Sequence, residues 1–488
     1  MTDLFSLPQV ELVRQLAQAR QLPIILVGGA VRDALLDKPV HDLDFAVKGN
    51  AVAFARLVSD KLHGAFYLMD AERGTARVII KRDAQPAFHL DFAACRGRTW
   101  DEDLFGRDFS INAIALDMQS REVLDPTSGM TDLPRRVIRQ VARTAISDDP
   151  VRALRAVRIA LMLNGVIESN TEAAIRAAAT QLSQPSPERV RDELMKTLAL
   201  PRASRAMRRM DELTLLSRVL PEMEPMRGCG QSLPHHYDAL EHTFVSLDFL
   251  DEIIHQLSMR EMKFPEWLSG LTISEGQRIA LARQLHSATA NDRLRVAVLR
   301  LAMLLHDIGK PITRKQDDDG VTHFAGHEDI GATMAAVRAV ALRLSSDEVD
   351  QVRATARYHM RPNRLSREAG DAPPNPRAIF RYMSETGRCA PELALVCLAD
   401  GMGKHGLATP LDNMQRRGVI ATLLIERYYA WYCAEAAPSP LLNGRDIMAL
   451  GIREGPEIGR ILSAVREAQM VGELATREEA LALALRIM

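Results

Sequence analysis

The sequence predicts an α+β chain, in which an N-terminal part mixes a sheet with helices and the remainder is all helical. Three observations carry this. Short apolar or alternating runs suited to strands crowd into residues 1–125 and all but vanish after Asp125-Pro126. Beyond that point the pattern is long, Ala- and Leu-rich and helical, punctuated by Pro185 and Pro187, by Gly228-Cys-Gly230 and by Pro438 to Pro440. The 488 residues, 47% hydrophobic and 26% charged, suffice for roughly three globular domains. Aromatics make up only 5%, so the cores are expected to be aliphatic. The expected segments are 1–125, 126–230, 231–405 and a helical tail, 406–488.

A net charge of −1 excludes a uniformly basic nucleic-acid binder. The cations are nonetheless lopsided, 53 Arg against 9 Lys, and locally dense. Arg135, Arg136, Arg139, Arg143, Arg152, Arg155 and Arg158 form one group, and Arg202, Arg205, Arg208 and Arg209 another. Such patches bind RNA while the whole chain stays neutral, although a GC-rich coding genome would also enrich Arg. The five cysteines are scattered without a C-x-x-C, which fits reduced thiols in a cytosol. The start Met1-Thr-Asp-Leu-Phe5 does not read as a signal peptide, and no apolar run reaches the ~18 residues of a membrane span. A cytoplasmic chain with no membrane partner is expected.

Taken in order, the apolar run Leu22 to Val27 predicts a strand over 24–27 that ends in Gly28-Gly29. A short helix over Ala30 to Leu36 follows, then a turn at Asp37-Lys38-Pro39 and a strand over 42–47. Glycines at a strand-to-helix turn let backbone N–H groups approach a phosphate. Asp42 and Asp44 share one face of their strand, ~6.5 Å apart, and can hold metal ions beside that phosphate. Further strands are expected at 76–80, 88–94, 112–116 and 122–124. Alternation in Phe88-His-Leu-Asp-Phe-Ala93 sets His89 and Asp91 opposite the apolar face. Asp91 is the candidate third carboxylate, with a plain surface Asp as the alternative. In Arg107-Asp-Phe-Ser-Ile-Asn-Ala113, Asp108, Ser110 and Asn112 form a polar face suited to ribose and triphosphate, and Arg107 suits phosphate.

Asp148-Asp-Pro-Val-Arg-Ala-Leu-Arg-Ala-Val-Arg158 opens a helix, with Pro150 in its first turn. Asp149 and Arg152, spaced i, i+3, can point together. A carboxylate accepts from the exocyclic amine of C or A, and an Arg donates to the neighbouring ring nitrogen or to O2 of C. U and G present a carbonyl and a ring N–H there and mismatch both. An N-terminal Asp beside a solvated Arg stripe is the plain alternative.

These strings resemble, in the same order, the signatures of the DNA-polymerase-β-like nucleotidyltransferases, in the bacterial branch of tRNA nucleotidyltransferases and poly(A) polymerases. Gly129-Met-Thr-Asp-Leu133 is similar to the family's G-x-x-D-L, and Glu188 to Leu194 to its E-R-x-x-x-E-L helix. The chain departs at Gly106, where the family has Arg, and at Asp148, where it has Glu. The resemblance implies a polymerase-β-like palm followed by a helical neck, with a tRNA 3′-hydroxyl attacking the α-phosphate of CTP or ATP and releasing pyrophosphate. It implies Mg2+ on Asp42 and Asp44, with Gly29, Arg32, Arg107, Arg155 and Arg158 holding triphosphate and ribose. Gly28, Asp33, Asp108 and Asn112 would line the same nucleotide site. Only ten residues, Gly97 to Gly106, lie between Arg96 and Arg107. CCA-adding members have a longer flexible loop here, thought to help the pocket switch from CTP to ATP, whereas CC-adding members are similar to this chain. Addition of C and A is the leading expectation. CC-only addition, leaving the final A to a separate enzyme, and poly(A) polymerase activity are the alternatives.

A second set of residues lies in the order of metal ligands: His242, His306-Asp307, His327, His359 and Asp400. His306-Asp-Ile-Gly-Lys310 resembles the HD-domain metal phosphohydrolases. The resemblance implies one metal on His242, His306, Asp307 and Asp400, and a second metal or a phosphate on His327 and His359, with Lys310 assisting. The ion would be Ni, Mn, Mg or Fe. It implies 2′,3′-cyclic phosphodiesterase or phosphatase activity, or else a residual fold whose metal serves stability. Asp317-Asp-Asp-Gly320 reads as a solvated turn. Leu442 to Gly459 resembles the family's segment for the tRNA body. An RNA-binding protein on a dead transferase fold is the competing class, and the intact Asp42, Asp44, Asp149 and Arg152 argue against it.

Overall fold

Seven strands make one mixed sheet in the order β3-β4-β5-β2-β1-β6-β7: β1 (Ile24–Val27), β2 (Asp42–Val47), β3 (Ala65–Asp70), β4 (Thr75–Arg82), β5 (Gln85–Ala94), β6 (Ala115–Asp117) and β7 (Val123–Leu124). Within this sheet, among the described residues, β2 and β5 pair in parallel and the other neighbours antiparallel. This is a computed structural model, and it describes residues 4–40, 42–82, 85–261, 264–370, 372–433 and 438–488. Four helices accompany the sheet: α1 (Pro8–Ala19), α2 (Gly29–Leu35), α3 (Ala51–Leu62) and α4 (Trp100–Phe105).

Alternation explains the layering. Leu43 and Phe45 of β2, Val78 of β4, and Leu90 and Phe92 of β5 are buried on one face, with Phe54 and Val58 of α3. Phe92 stacks on Phe45 at 5.0 Å and meets Phe54 edge-on at 5.7 Å. Each such buried side chain contributes roughly 1.5–3 kcal/mol. On the other face Ile25, Val27, Ala46, Ala113 and Ala115 pack with Leu104 of α4. Toward β3 that face carries Asp91, Arg77 and Tyr67 instead.

Two elements differ from the sequence reading. The expected strand 112–116 is a 3-10 turn, Ser110–Asn112, followed by β6. Its polar side chains bond locally and compete with a ladder: Asp108 accepts from the Phe109 N–H and from Asn112. Ser110, expected on a ligand face, is buried and donates to Asp132 at 2.7 Å. β3 was not expected, because Ala65-Phe-Tyr-Leu-Met-Asp70 leaves apolar side chains exposed at the sheet edge instead of alternating cleanly.

The chain divides into two compact units. One runs to Glu193 and includes Glu212–Arg218; the other holds Leu194–Asp211 and everything from Val219 on. In the first, helices Gly129–Arg135, Val151–Leu163 and Ser169–Ala178 follow the sheet. In the second, helix Arg295–Leu305 is buried on all sides, from Val296 to Leu305. Ala239–Ser258, His327–Ala341, Ser346–Tyr358, Ala390–Gly403 and Leu411–Tyr428 are further helices of that unit. Asp317 to Gly320 is an exposed hairpin turn. The tail helices Gly444–Ala449, Pro456–Met470 and Arg477–Ile487 share a small core around Ile447, Ile461 and Val465. Among the described residues no helix is long and apolar enough to cross a membrane.

Candidate functional site

In the first unit β1 delivers the chain to Gly28, which has φ +86° and precedes α2. β1 pairs Val27 with Asp44, so Gly28 lies against the Asp44 carboxylate. A Cβ at Gly28 would sit 3.1 Å from Asp44 Oδ2. Both the positive φ and this approach require glycine. Asp42 is exposed, and its Oδ1 lies 3.3 Å from His89 Nδ1. Asp44 is half-buried, and burial, then the charges of Asp91 and Asp42, push its carboxyl up to about 6 against the pull of Arg107. Asp91 faces Asp44 in register, but Arg77 grips both its oxygens at 2.7 Å.

A relay of polar contacts runs from α2 to the neck. Arg32 forks onto Asp33, at 2.8 and 3.0 Å, and donates to Asn112 Oδ1 at 2.6 Å. Asn112 donates to Asp108 at 3.1 Å, and Arg155 takes the other Asp108 oxygen at 3.0 Å. Burial alone would raise the Asp108 carboxyl, but Arg155 overrides it and holds it below the usual value. Arg155 and Arg158 then share the buried Glu193, at 3.0 and 2.8 Å.

The connection from Arg96 to Arg107 is short and fastened. Thr99 caps α4, and the buried Asp103 accepts from the Arg96 N–H at 2.8 Å and from Arg107 Nη2 at 2.8 Å. The guanidinium of Arg152 closes on the end of α4, donating to the carbonyls of Gly106 at 3.0 Å and Arg107 at 2.8 Å, and to Ala145 at 3.1 Å. Asp149 Oδ2 is 3.8 Å from Arg152 Nε and accepts from Arg189 at 2.7 Å. Asp149 Oδ1 and Arg152 Nε are buried with no hydrogen-bond partner.

The second unit gathers the histidines. Four ligand-capable groups, His242, His306, Asp307 and Asp400, have atoms within 4.8 Å of one another, as do Asp307, His327 and His359. Asp307 belongs to both sets. Its Oδ2 lies 3.1 Å from His306 Nε2 and 3.3 Å from His242 Nε2; its Oδ1 lies 3.4 Å from His327 Nε2 and 3.6 Å from His359 Nε2. Asp400 Oδ1 is 3.1 Å from His242 Nε2. His306, His327 and His359 each place Nδ1 2.7–2.8 Å from the carbonyl three residues back. That contact fixes the tautomer and leaves Nε2 facing inward. Asp307 Oδ1, Asp400 Oδ2 and the Nε2 atoms of His306, His327 and His359 are buried without a hydrogen-bond partner. Such a concentration of orphaned donor atoms fits divalent metal. Lys310 pairs with Asp307 Oδ2 at 2.5 Å and donates to Gln231 at 2.7 Å.

Three family models match along the chain: the poly A polymerase head domain over residues 24–139, a probable RNA- and SrmB-binding site of polymerase A over 166–227, and the HD domain over 277–402. The A-adding tRNA nucleotidyltransferase of Deinococcus radiodurans is 34% identical over 94% of both chains. This chain belongs to the tRNA nucleotidyltransferase family. The CC-adding tRNA nucleotidyltransferase of Thermus thermophilus is 31% identical over 94% of this chain and 92% of its own. A solved complex of a CCA-adding enzyme with ATP shares the fold, with a TM-score of 0.61 at 20% identity over 98% of this chain and 94% of that one.

The enzyme thus has its candidate nucleotide-site residues in the first unit and its HD-domain histidines in the other. Sequence reasoning placed Arg189 and Glu193 only in a matched helix string and did not pair them with Asp149 and Arg155, 40 and 38 residues away, and it did not single out Asp103, which holds Arg96 and Arg107. Arg77 was also missed, although its place between the apolar Ala76 and Val78 is a signal for the opposite face of the strand.

Proposed function

We propose that the transferase site adds cytidylates from CTP to the 3′ end of tRNA and stops before the terminal A. The observation that carries this is the clasp of Arg152 on the Gly106 and Arg107 carbonyls. A short connection locked by Asp103 fixes the base-reading guanidinium in one position, which suits one base rather than two in succession. Asp149 Oδ1 and Arg152 Nε, buried and without a hydrogen bond, are the atoms offered to the exocyclic amine and to the cytosine edge. Gly28 and Gly29 bring backbone N–H groups to the triphosphate, and Arg107 neutralises it. Arg32, Asp33, Asn112, Asp108, Arg155 and Arg158 act as the linked wall that positions ribose and phosphates. Asp42 and Asp44 would hold Mg2+, which supplies charge neutralisation at the reacting phosphate. Asp91, committed to Arg77, acts on Asp44 through its charge. Addition limited to CC implies a separate enzyme for A.

The A-adding relative favours a second reading, addition of A alone. One assay separates them: tRNA ending before CC, at C and at CC, each with CTP, ATP or both. C added twice without A supports the proposal. A added to the CC-ended substrate removes the stop, and A without C establishes the second reading.

For the second unit we propose metal-dependent hydrolysis of phosphate esters. His242, His306, Asp307 and Asp400 would hold one ion, and His327 and His359 with Asp307 another. The imidazole-rich set favours Ni, Mn or Fe over Mg, and such an ion supplies an activated water. Lys310 and Gln231 orient the phosphate. Opening of 2′,3′-cyclic nucleotides to their 2′- or 3′-monophosphates, lost in Asp307→Asn, tests this.

A further inference from the structure

Four side chains stand in one row across the sheet. Asp44 of β2 is opposite Asp91 of β5, Asp91 opposite Arg77 of β4, and Arg77 opposite Tyr67 of the edge strand β3. Directly opposed residues share a face. The next row confirms the parity. Leu43, Leu90 and Val78 are fully buried on the α3 side, and Phe66, paired with Val78, lies beneath Arg56 of α3. Tyr67 therefore faces the carboxylate side, and it is 54% exposed. Strands lie ~4.8 Å apart, so three steps put Tyr67 roughly 14 Å from Asp44.

We propose that Tyr67 and Arg77 form the track on which the single-stranded 3′ end of the RNA acceptor lies as it approaches the transferase carboxylates. Tyr67 stacks on a base a few nucleotides upstream of the reacting hydroxyl, and Arg77 meets the sugar–phosphate between them. The inference rests on the transferase reading of the same site. Continuity with that site selects the occupant: the row ends at Asp44, where an RNA hydroxyl must arrive. A span of ~14 Å is about four nucleotides at ~3.4 Å each. Arg77 bonds Asp91 through Nε and Nη2 and is still one-third exposed. The position before Tyr67 on its face is the small Ala65, opposite Ile79, and the Tyr67 side chain is more than half exposed to a flat partner. An exposed ring beside a guanidinium is a sequence-tolerant platform for single-stranded nucleic acid.

The test uses the full chain and tRNA ending at its first C. Tyr67→Ala is expected to raise KM for tRNA roughly tenfold, with kcat and KM for CTP unchanged, while Tyr67→Phe restores affinity. Arg77→Lys, which keeps a cation beside Asp91 but not the planar guanidinium, is expected to raise KM for tRNA a few-fold. Leu68→Ala, exposed on the opposite face of the same strand, is the control and changes nothing. A second arm needs no catalysis: the Kd of a short single-stranded RNA carrying 2-aminopurine, measured without CTP. Unchanged KM and Kd in both Tyr67→Ala and Arg77→Lys overturn the track. If the unmodified enzyme adds no nucleotide at all, the transferase reading fails, and the Kd arm decides the track by itself.

Discussion

Arg152 donates to the carbonyl of Gly106 at 3.0 Å, tying the neck helix to the residue that ends α4. Asp103 holds that end in place. It is 2% exposed and accepts from the Arg96 N–H and the Arg107 guanidinium. Asp103→Ala leaves both without a partner. The expected loss is about 2–3 kcal/mol in urea unfolding. Misincorporation of U relative to C is expected to rise, because Arg152 loses its seat; unchanged fidelity would dissociate the clasp from base selection.

Gly28→Ala tests the turn. An L side chain at φ +86° is strained, and its Cβ would press on Asp44 Oδ2. Nucleotide addition is expected to fall by roughly two orders of magnitude, as expected for a misplacement of about 1 Å. Melting temperature should drop only modestly, which calorimetry can check alongside the rate.

Asp44 makes a pH prediction for the protein in chelator. Its carboxyl is raised to about 6, so ionisation costs folded-state stability above that pH and nothing below the ordinary carboxylate range. Asp44→Asn is therefore expected to stabilise the metal-free protein by about 1–3 kcal/mol at pH 8, the range allowing for its partial exposure. The gain should shrink between pH 6 and pH 4 and disappear below. Denaturant titrations across that range measure it. A gain that grows on acidification contradicts the electrostatic account.

Asp307 lies at the junction of the two histidine sets. Asp307→Asn is expected to reduce bound transition metal to a small fraction of that in the unmodified protein, read by elemental analysis. Addition of C to tRNA should continue at an undiminished rate. Loss of both activities together would show that the two sites are not independent.

Local pattern made much of this legible. β1 and β2 stood out because a buried apolar run meets Gly28 and because Asp42 and Asp44 interrupt an apolar strand with period two. The clustered histidines and aspartates of the second unit were readable as candidate ligands because each sits in a short string at or near a helix end. What stayed hidden depends on pairing distant in sequence. Glu193 is joined to Arg155 across 38 residues, and nothing in either string names the other. Asp91 was read as a possible third carboxylate because the sequence does not reveal that Arg77 faces it from the neighbouring strand. The edge strand β3 was illegible for a different reason: its exposed apolar side chains obey no burial pattern.

For the ions proposed in the second unit, the backbone contacts made by His306, His327 and His359 would set how one competes with another. Each ring is oriented by a carbonyl three residues back on its own chain segment, not by whatever the inner nitrogen binds. The cage is preorganised, so exchanging one ion for another requires no refolding. Selection then falls to the softness and charge of the ion and to its abundance in the cell, and a change in metal supply would change the occupant without changing the shape of the protein.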